Sequence, residues 1–424
     1  MAHSLEGSSL SRQQRFGLIA GRRLMRSGAA WRLAETVVPR QFTTKAHDRV
    51  AYTFFLGLGE WLYANHTKPI LWCNIALPSE LVWGLGMVPF SPETAAGLSV
   101  GLGLSTLGLD TSEAIGYPID LCSFNRCAAG LNAAGLCPGS DAYVACSNVC
   151  DVSGQLLAEF AHERGRPYHL LDVPQSQDKM ALAYLTAQLT DLVERVTSEV
   201  GISYDPGRMR QAVRLSNQAR VLALEVAELR ESDPAPIRGS SMLGQLGMLT
   251  TMFGHPGAVA YYTALRDYTL ERQRGTPEQP NQRLRLYWLH LKPYYSSDLL
   301  AHLEDDLGAV IAFEETSTLW WQALDEEQPL RALAGKILAQ YMNGPLERRA
   351  DLALSHIKRY QCVGAIHFSH WGCRQSNGAL HVLRTRLRKA GVPLLAIDGD
   401  CVDPANLQEG PLRTRIDAFV EMLS

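Results

Sequence analysis

The stretch QCVGAIHFSHWGCRQSNGALHVLRTRLRKAGVPLLAIDGDC, from Gln361 to Cys401, decides the fold. Its apolar run Val363 to Phe368 reads as a buried strand. The chain then breaks at Ser369-His370-Trp371-Gly372 and places Cys373 where the next helix should begin. From Ala379 to Lys389 the residues Leu380, Leu383 and Leu387 recur at helical spacing, with Arg384, Arg386 and Arg388 between them. Gly391 and Pro393 stop that helix, and Leu394 to Ile397 make a second strand that leads into Asp398 and Asp400. The predicted unit is strand–helix–strand, of the kind that builds parallel sheets. Ligands of open α/β sheets bind beyond the carboxyl ends of the strands, which is where Cys373 falls. A thiol at a helix start is favoured as thiolate, so Cys373 is a candidate metal ligand or nucleophile; a packed structural cysteine is the competing reading.

The same arrangement occurs upstream. Tyr143 to Cys146 reads as a strand, Cys150-Asp151 stands at its exit, an amphipathic helix follows from Gln155 to Arg164, and Gly165-Arg166-Pro167 turns into the strand Tyr168 to Val173. The two stretches predict two related α/β lobes, each presenting a cysteine at its sheet edge. Further out, Ile70 to Trp72 and Met87 to Phe90 are strands flanking a short helix that begins at Pro78. That helix carries Ser79 and Glu80 in its first turn, where a carboxylate is favoured by the dipole. Long helical patterns cover Asp178 to Gly201, Pro206 to Glu231 and, with a break at Gly254-His255-Pro256, Met242 to Arg274. Leu284 to Leu289 and Ala309 to Phe313 are strands around a helix at Ser297 to Asp306, and Leu412 to Leu423 is a closing amphipathic helix. The arginine-rich start, with Arg12, Arg15, Phe16, Ile19 and Trp31, is expected to be a helical extension packed on the body rather than a cleavable transit peptide.

At 424 residues, 46% hydrophobic and 20% charged, the chain is long enough for two or three domains with substantial cores. A net charge of −3 gives no electrostatic footprint for nucleic acid or an anionic membrane. The apolar stretch Ala95 to Leu109 is too short and glycine-rich to span a bilayer, and no secretory pattern opens the chain, so a cytoplasmic protein with reduced cysteines is expected. Of nine cysteines, five crowd between Cys122 and Cys150. Their spacings, Cys122–Cys127 and Cys146–Cys150, do not match the close pairs of structural zinc sites. Thiolates on separate loops suit an iron–sulfur cluster better. A cysteine nucleophile with His367, His370 or His381 as base is a third option, without a recognisable motif. Neither a dinucleotide fingerprint nor a P-loop is present in the sequence.

Several segments together resemble the 2-hydroxyacyl-CoA dehydratase / benzoyl-CoA reductase family, and the HWGCRQSNG segment is similar to its substrate-binding, alpha-type subunit. They are ALPSELVWGLGMVPF, DLCSFNRC, SNVCD, HLLDVP, HFSHWGCRQSNG, GVPLLAIDGD and RTRIDAFVEML, in that order from about Lys68 onward. The resemblance implies two flavodoxin-like (Rossmann-like) parallel-sheet lobes. The expected division is an N-terminal helical extension over 1–49, a first lobe over 50–175, and a helical insert with the second lobe over 176–424. It also implies a 4Fe-4S cluster held by Cys122, Cys150 and Cys373, with one iron open to an acyl-CoA. Carried further, it implies an iron–sulfur activator that hydrolyses ATP and delivers one electron, ketyl-radical elimination of water, and a homologous second subunit or a homodimer. Glu80, Ser79 and His370 match segments that line the family's active site, which would give them proton transfer or hydroxyl binding; a plain first-turn helix role for Glu80 stays open. The extra thiols Cys127, Cys137 and Cys146 keep an 8Fe-9S double-cubane branch in view. Reduction of an aromatic acyl-CoA, or a non-catalytic electron-transfer subunit whose site is closed by a fourth ligand such as Cys127, are the alternative functions.

Overall fold

The computed structural model describes residues 21–424. Two four-stranded, all-parallel sheets make an α/β fold of two lobes. The first holds β1 (Ile70–Cys73), β2 (Val88–Phe90), β3 (Ala142–Cys146) and β4 (Tyr168–Leu171) in the order β2-β1-β3-β4. The second holds β5 (Leu284–Leu289), β6 (Ala309–Glu314), β7 (Gly364–His370) and β8 (Leu394–Gly399) in the order β6-β5-β7-β8. The expected pairing of two similar lobes is therefore present, and each has its first strand beside its third. In that order the winding reverses between those strands and leaves a crevice at their carboxyl ends.

The helices, in chain order, are α1 (Gly28–Phe42), α2 (Ala46–Tyr63), α3 (Ser79–Leu85), α4 (Pro92–Gly101), α5 (Ser105–Ala114), α6 (Ser123–Ala133), α7 (Asp151–Arg164), α8 (Lys179–Val200) and α9 (Pro206–Leu229). There follow α10 (Gln245–Thr251), α11 (Pro256–Arg274), α12 (Pro329–Leu338), α13 (Leu346–Arg359), α14 (Arg374–Gly378), α15 (Leu380–Lys389) and α16 (Glu409–Leu423). Their starts follow local chemistry. Asp178 caps α8 by accepting the Ala181 N–H at 2.8 Å, and Asp205 with Pro206 opens α9. Of the expected N-terminal extension, Arg12, Arg15, Phe16 and Ile19 lie outside the described residues; Trp31 lies in α1 and stacks on Tyr63 of α2.

The central strands are apolar runs because both sheet faces are covered, and β1, β3 and β7 are buried at every position. Trp72 and Trp288, one per sheet, are almost wholly buried, and each ring N–H reaches a carbonyl, of Gly139 and of Leu291. Each such burial is worth about 4–6 kcal/mol by apolar area. The helical segment between the sheets packs on both: α9 lies against α3 of the first lobe, and a short helix at Gly239–Met242 covers β6 of the second. At the end of α9, Arg230 forms a buried two-pronged pair with Glu314 of β6 at 2.8 and 2.6 Å.

Three local expectations differ. Strand β7 continues through Ser369 and His370, because their backbones still pair with Asp398 and Gly399 of β8. The Ser297–Asp306 helix is a short turn, Leu299–Ala301, that widens into a π-helix, His302–Asp306, where His302 bonds both Asp306 and Asp417. Two helices, α4 and α5, fill the stretch between β2 and Cys122, to which the sequence reading assigns no element. Among the described residues no helix is long and apolar enough to cross a membrane.

Candidate functional site

Cys122, Cys150 and Cys373 occupy the N-cap positions of α6, α7 and α14, and none of the three makes a side-chain capping bond. All three line one cavity of about 760 Å³ between the lobes, at the carboxyl ends of both sheets. Cys150 comes after β3 and Cys373 after β7, so each stands at the winding reversal of its own sheet. The two lobes meet tightly here. Gly372 has φ +74°, and a Cβ on it would lie 2.5 Å from the backbone N of Cys122. Ser123 donates to Asp400, and buried Arg126 spans Glu113 at 2.6 Å and Asp403 at 3.1 Å, so α6 of the first lobe is latched to the loop after β8. Exposed Arg374 and Asp151 add a pair across the mouth, a contact worth little in solvent.

Burial pushes all three thiols up, and for Cys122 the nearby Cys373 and Cys150 push further in the same direction. The groups are thus held as neutral thiols until a cation replaces their protons. Two histidines face them with opposite tautomers. His370 Nδ1 accepts the Cys401 backbone N–H at 3.1 Å, which leaves its proton on Nε2, 3.4 Å from Cys122 Sγ. His290 Nδ1 lies 3.2 Å from the Phe368 carbonyl and must donate to it, so Nε2 presents a lone pair 3.7 Å from Cys373 Sγ. Desolvation keeps both rings neutral, His370 at about 4 and His290 well below its usual value. His290 itself is held at φ +72°, its N–H donating to Glu315, which in turn is gripped by buried Arg349.

The cavity wall also carries buried polar atoms without partners among the described residues: Glu93 Oε1, Asn125 Oδ1, both amide atoms of Asn148, and Thr316 Oγ1. Folded proteins rarely leave such atoms dry unless a bound group answers them. Burial raises the Glu93 carboxyl above its usual range, while Ser91 donates to its other oxygen. Glu93, Asn148 and His290 were not singled out from the sequence. Glu93 is a first-turn acid of α4 behind the Ser91 cap, and Asn148 is one letter of SNVCD. His290, the first residue after β5, could have been found by checking the residue at the exit of every strand.

The structure brings His370 to the cavity with the three cysteines, but not Ser79 and Glu80. The first turn of α3 packs on the helical segment instead. Glu80 is fully buried, pairs with Lys336 at 2.6 Å and accepts the Ser216 hydroxyl; Ser79 donates to the Phe253 carbonyl at 2.8 Å. The expectation that they face the cleft is corrected by that packing. Cys127, Cys137 and Cys146 are not on the cavity wall either; Cys146 is inside β3, and Cys127 meets Ser99 Oγ at 3.4 Å within the α4–α6 packing.

Among the described residues no three His, Cys, Asp or Glu side chains gather tightly enough for a single metal ion. Three thiols at helix starts around one roomy cavity, with a ring N–H aimed at one of them, fit a larger thiolate-held group. The model of the family described as 2-hydroxyglutaryl-CoA dehydratase, D-component, matches residues 74–423. The (R)-phenyllactyl-CoA dehydratase alpha subunit of Clostridium sporogenes is 22% identical over 373 residues, covering 83% of this chain and 89% of that protein. The lactoyl-CoA dehydratase subunit alpha of Anaerotignum propionicum is 20% identical over 383 residues, with 84% and 90% covered. A subunit of the benzoyl-CoA reductase of Thauera aromatica is 25% identical over 381 residues, with 81% and 86% covered.

Proposed function

The chain belongs to the 2-hydroxyglutaryl-CoA dehydratase D-component family, and from that premise we propose that it is the iron–sulfur subunit of a 2-hydroxyacyl-CoA dehydratase. The observation that carries the reading is the convergence of Cys122, Cys150 and Cys373, from two lobes, on one cavity. These three would hold a 4Fe-4S cluster. When bound, such a group supplies one-electron chemistry and, with three protein ligands, an iron open to a substrate oxygen.

The chain's own residues do the remaining work. The first-turn N–H groups of α6 and α7 favour thiolate at Cys122 and Cys150, and the His370 Nε2–H adds to this at Cys122, against burial and the neighbouring thiols and acids. Glu93, whose dry site favours the neutral carboxyl, would offer a proton at the cavity wall to a leaving hydroxyl. Glu80 and Ser79 act from behind, by fixing α3 against the helical segment. Asp400 and Arg126 keep the lobes closed, which keeps water out of the cleft. A single cluster is favoured over the double cubane because the other first-lobe cysteines are off the cavity wall.

The relatives' designation as alpha subunits supports a homologous second subunit, and the absence of a P-loop from the sequence supports a separate ATP-hydrolysing activator. Reduction of an aromatic acyl-CoA is the second reading, favoured by the 25% identity to a benzoyl-CoA reductase component. Anaerobically purified protein should carry about four irons and four sulfides per chain. Cys122→Ala, Cys150→Ala and Cys373→Ala should each lose the iron, and Cys73→Ala and Cys362→Ala should keep it. Full iron in the Cys373 variant overturns the assignment, and about eight irons per chain would favour the double cubane.

A further inference from the structure

The turn between β3 and Cys150 carries two separate costs at one place. The Cys150 N–H donates to the Asn148 carbonyl at 2.9 Å, closing a three-residue turn whose central residue, Val149, is held at φ +70°. That is the rare form of γ-turn, and a β-branched side chain makes it more strained still. On its leading shoulder, Asn148 is 8% exposed and lines the cavity, yet neither its amide nitrogen nor its amide oxygen has a partner among the described residues. Strain of this kind persists where the surrounding structure over-determines it, and it clusters at ligand clamps. The amide's position agrees with that, because it stands at the winding reversal of the first sheet, two residues before Cys150.

A free primary amide offers an N–H donor group and a carbonyl acceptor side by side. Its complement is a ligand with an acceptor and a donor on neighbouring atoms. A 2-hydroxyacyl thioester has this pattern, with the carbonyl oxygen on one carbon and the hydroxyl on the next. A saturated, unsaturated or aromatic thioester without that hydroxyl offers only the acceptor, and would leave the Asn148 oxygen dry. Because no protein bond fixes the amide, it is free to turn to either orientation.

We infer that Asn148 is the specificity residue of this site, its amide nitrogen donating to the thioester carbonyl and its amide oxygen accepting from the 2-hydroxyl. The inference rests on the acyl-thioester reading above and adds to it the group that separates hydroxylated from unhydroxylated substrates. A site that hydrogen-bonds a substrate hydroxyl rejects the analogue lacking it, since its own buried polar atom is then unpaired.

The test is equilibrium binding to the anaerobic, iron-loaded protein of two matched pairs of thioesters. These are 2-hydroxybutanoyl-CoA with butanoyl-CoA, and 2-hydroxy-3-phenylpropanoyl-CoA with 3-phenylpropanoyl-CoA. Wild type should prefer the hydroxylated member of a pair by about 10-fold. Asn148→Leu should bind both members alike within about 2-fold, and its unfolding midpoint should not fall, because the amide makes no hydrogen bond in the fold. Asn148→Asp, which keeps the acceptor but loses the donor, should weaken both members while retaining part of the preference. Undiminished preference in Asn148→Leu, or equal binding of each pair by wild type, overturns the role of Asn148 and leaves the proposed function standing. Wild type that binds none of the four thioesters overturns both.

Discussion

Replacing Gly372 by alanine adds one methyl group at the point where the lobes touch. That methyl would lie 2.5 Å from the backbone N and 2.6 Å from the Cα of Cys122, with the Leu121 carbonyl carbon at 3.0 Å. All three are main-chain atoms, so no side-chain rotation relieves the overlap. The left-handed φ of +74° adds about 1–2 kcal/mol for any L side chain. Overpacking adds about 1–3 kcal/mol, so the expected cost is about 2–5 kcal/mol. Because the overlap joins one lobe to the other, the cost should fall on their contact and not on either sheet. Denaturant unfolding should show an earlier first transition, and bound iron should drop as Cys122 and Cys373 move apart. Gly378→Ala is the control: nothing lies within 4 Å of that added methyl, and the site is in a helix, where alanine is favoured by up to about 1 kcal/mol. If Gly372→Ala unfolds within about 0.5 kcal/mol of wild type and keeps its iron, the close approach of Gly372 to Cys122 is wrong.

Glu80→Leu should destabilise by about 3–5 kcal/mol, because it strands Lys336, whose ammonium is 3.8 Å from the Trp321 ring centroid in a dry site. The double variant Glu80→Leu/Lys336→Met should recover most of that in urea unfolding, and a double variant as unstable as the single one would refute a purely paired role. Burial depresses His255 and His356 to about 4, below the unfolded value, so the folded state binds fewer protons at each. Their contribution is complete above about pH 6.5 and is lost toward pH 4, at up to about 1.4 kcal/mol per pH unit for each. Melting temperature should therefore fall from pH 7 to pH 5, and His255→Asn, which keeps a cap acceptor for the Gly257 N–H, should flatten the fall.

The strands were legible because parallel strands covered on both faces are written as short apolar runs; Val363 to Phe368 and Tyr143 to Cys146 need no tertiary information to be read. The cysteines were legible as residues at strand exits. The illegible parts depend on distant partners. Nothing local to Glu80 says that Lys336, more than two hundred residues later, will neutralise it, so the same first-turn acid reads equally well as catalytic or structural. The extension of β7 through His370 depends on β8 running alongside it. Asn148 gains its meaning only when both of its amide atoms are found without partners, which is a property of everything around it.

The order in which the site's parts leave the ribosome follows from the two-lobed arrangement of its thiols. More than two hundred residues separate Cys150 from Cys373. At about 5–20 residues per second, the first two thiols wait roughly 10–40 s for the third to be synthesised. The first sheet is complete before then, because β4 ends at Leu171. A folded half-protein therefore presents Cys122 and Cys150 uncovered, with the Gly372 turn and the Asp400 loop that shield them not yet made. Loading of the site is confined to the end of translation or later, and in the interval the nascent chain is at its most open to oxidants.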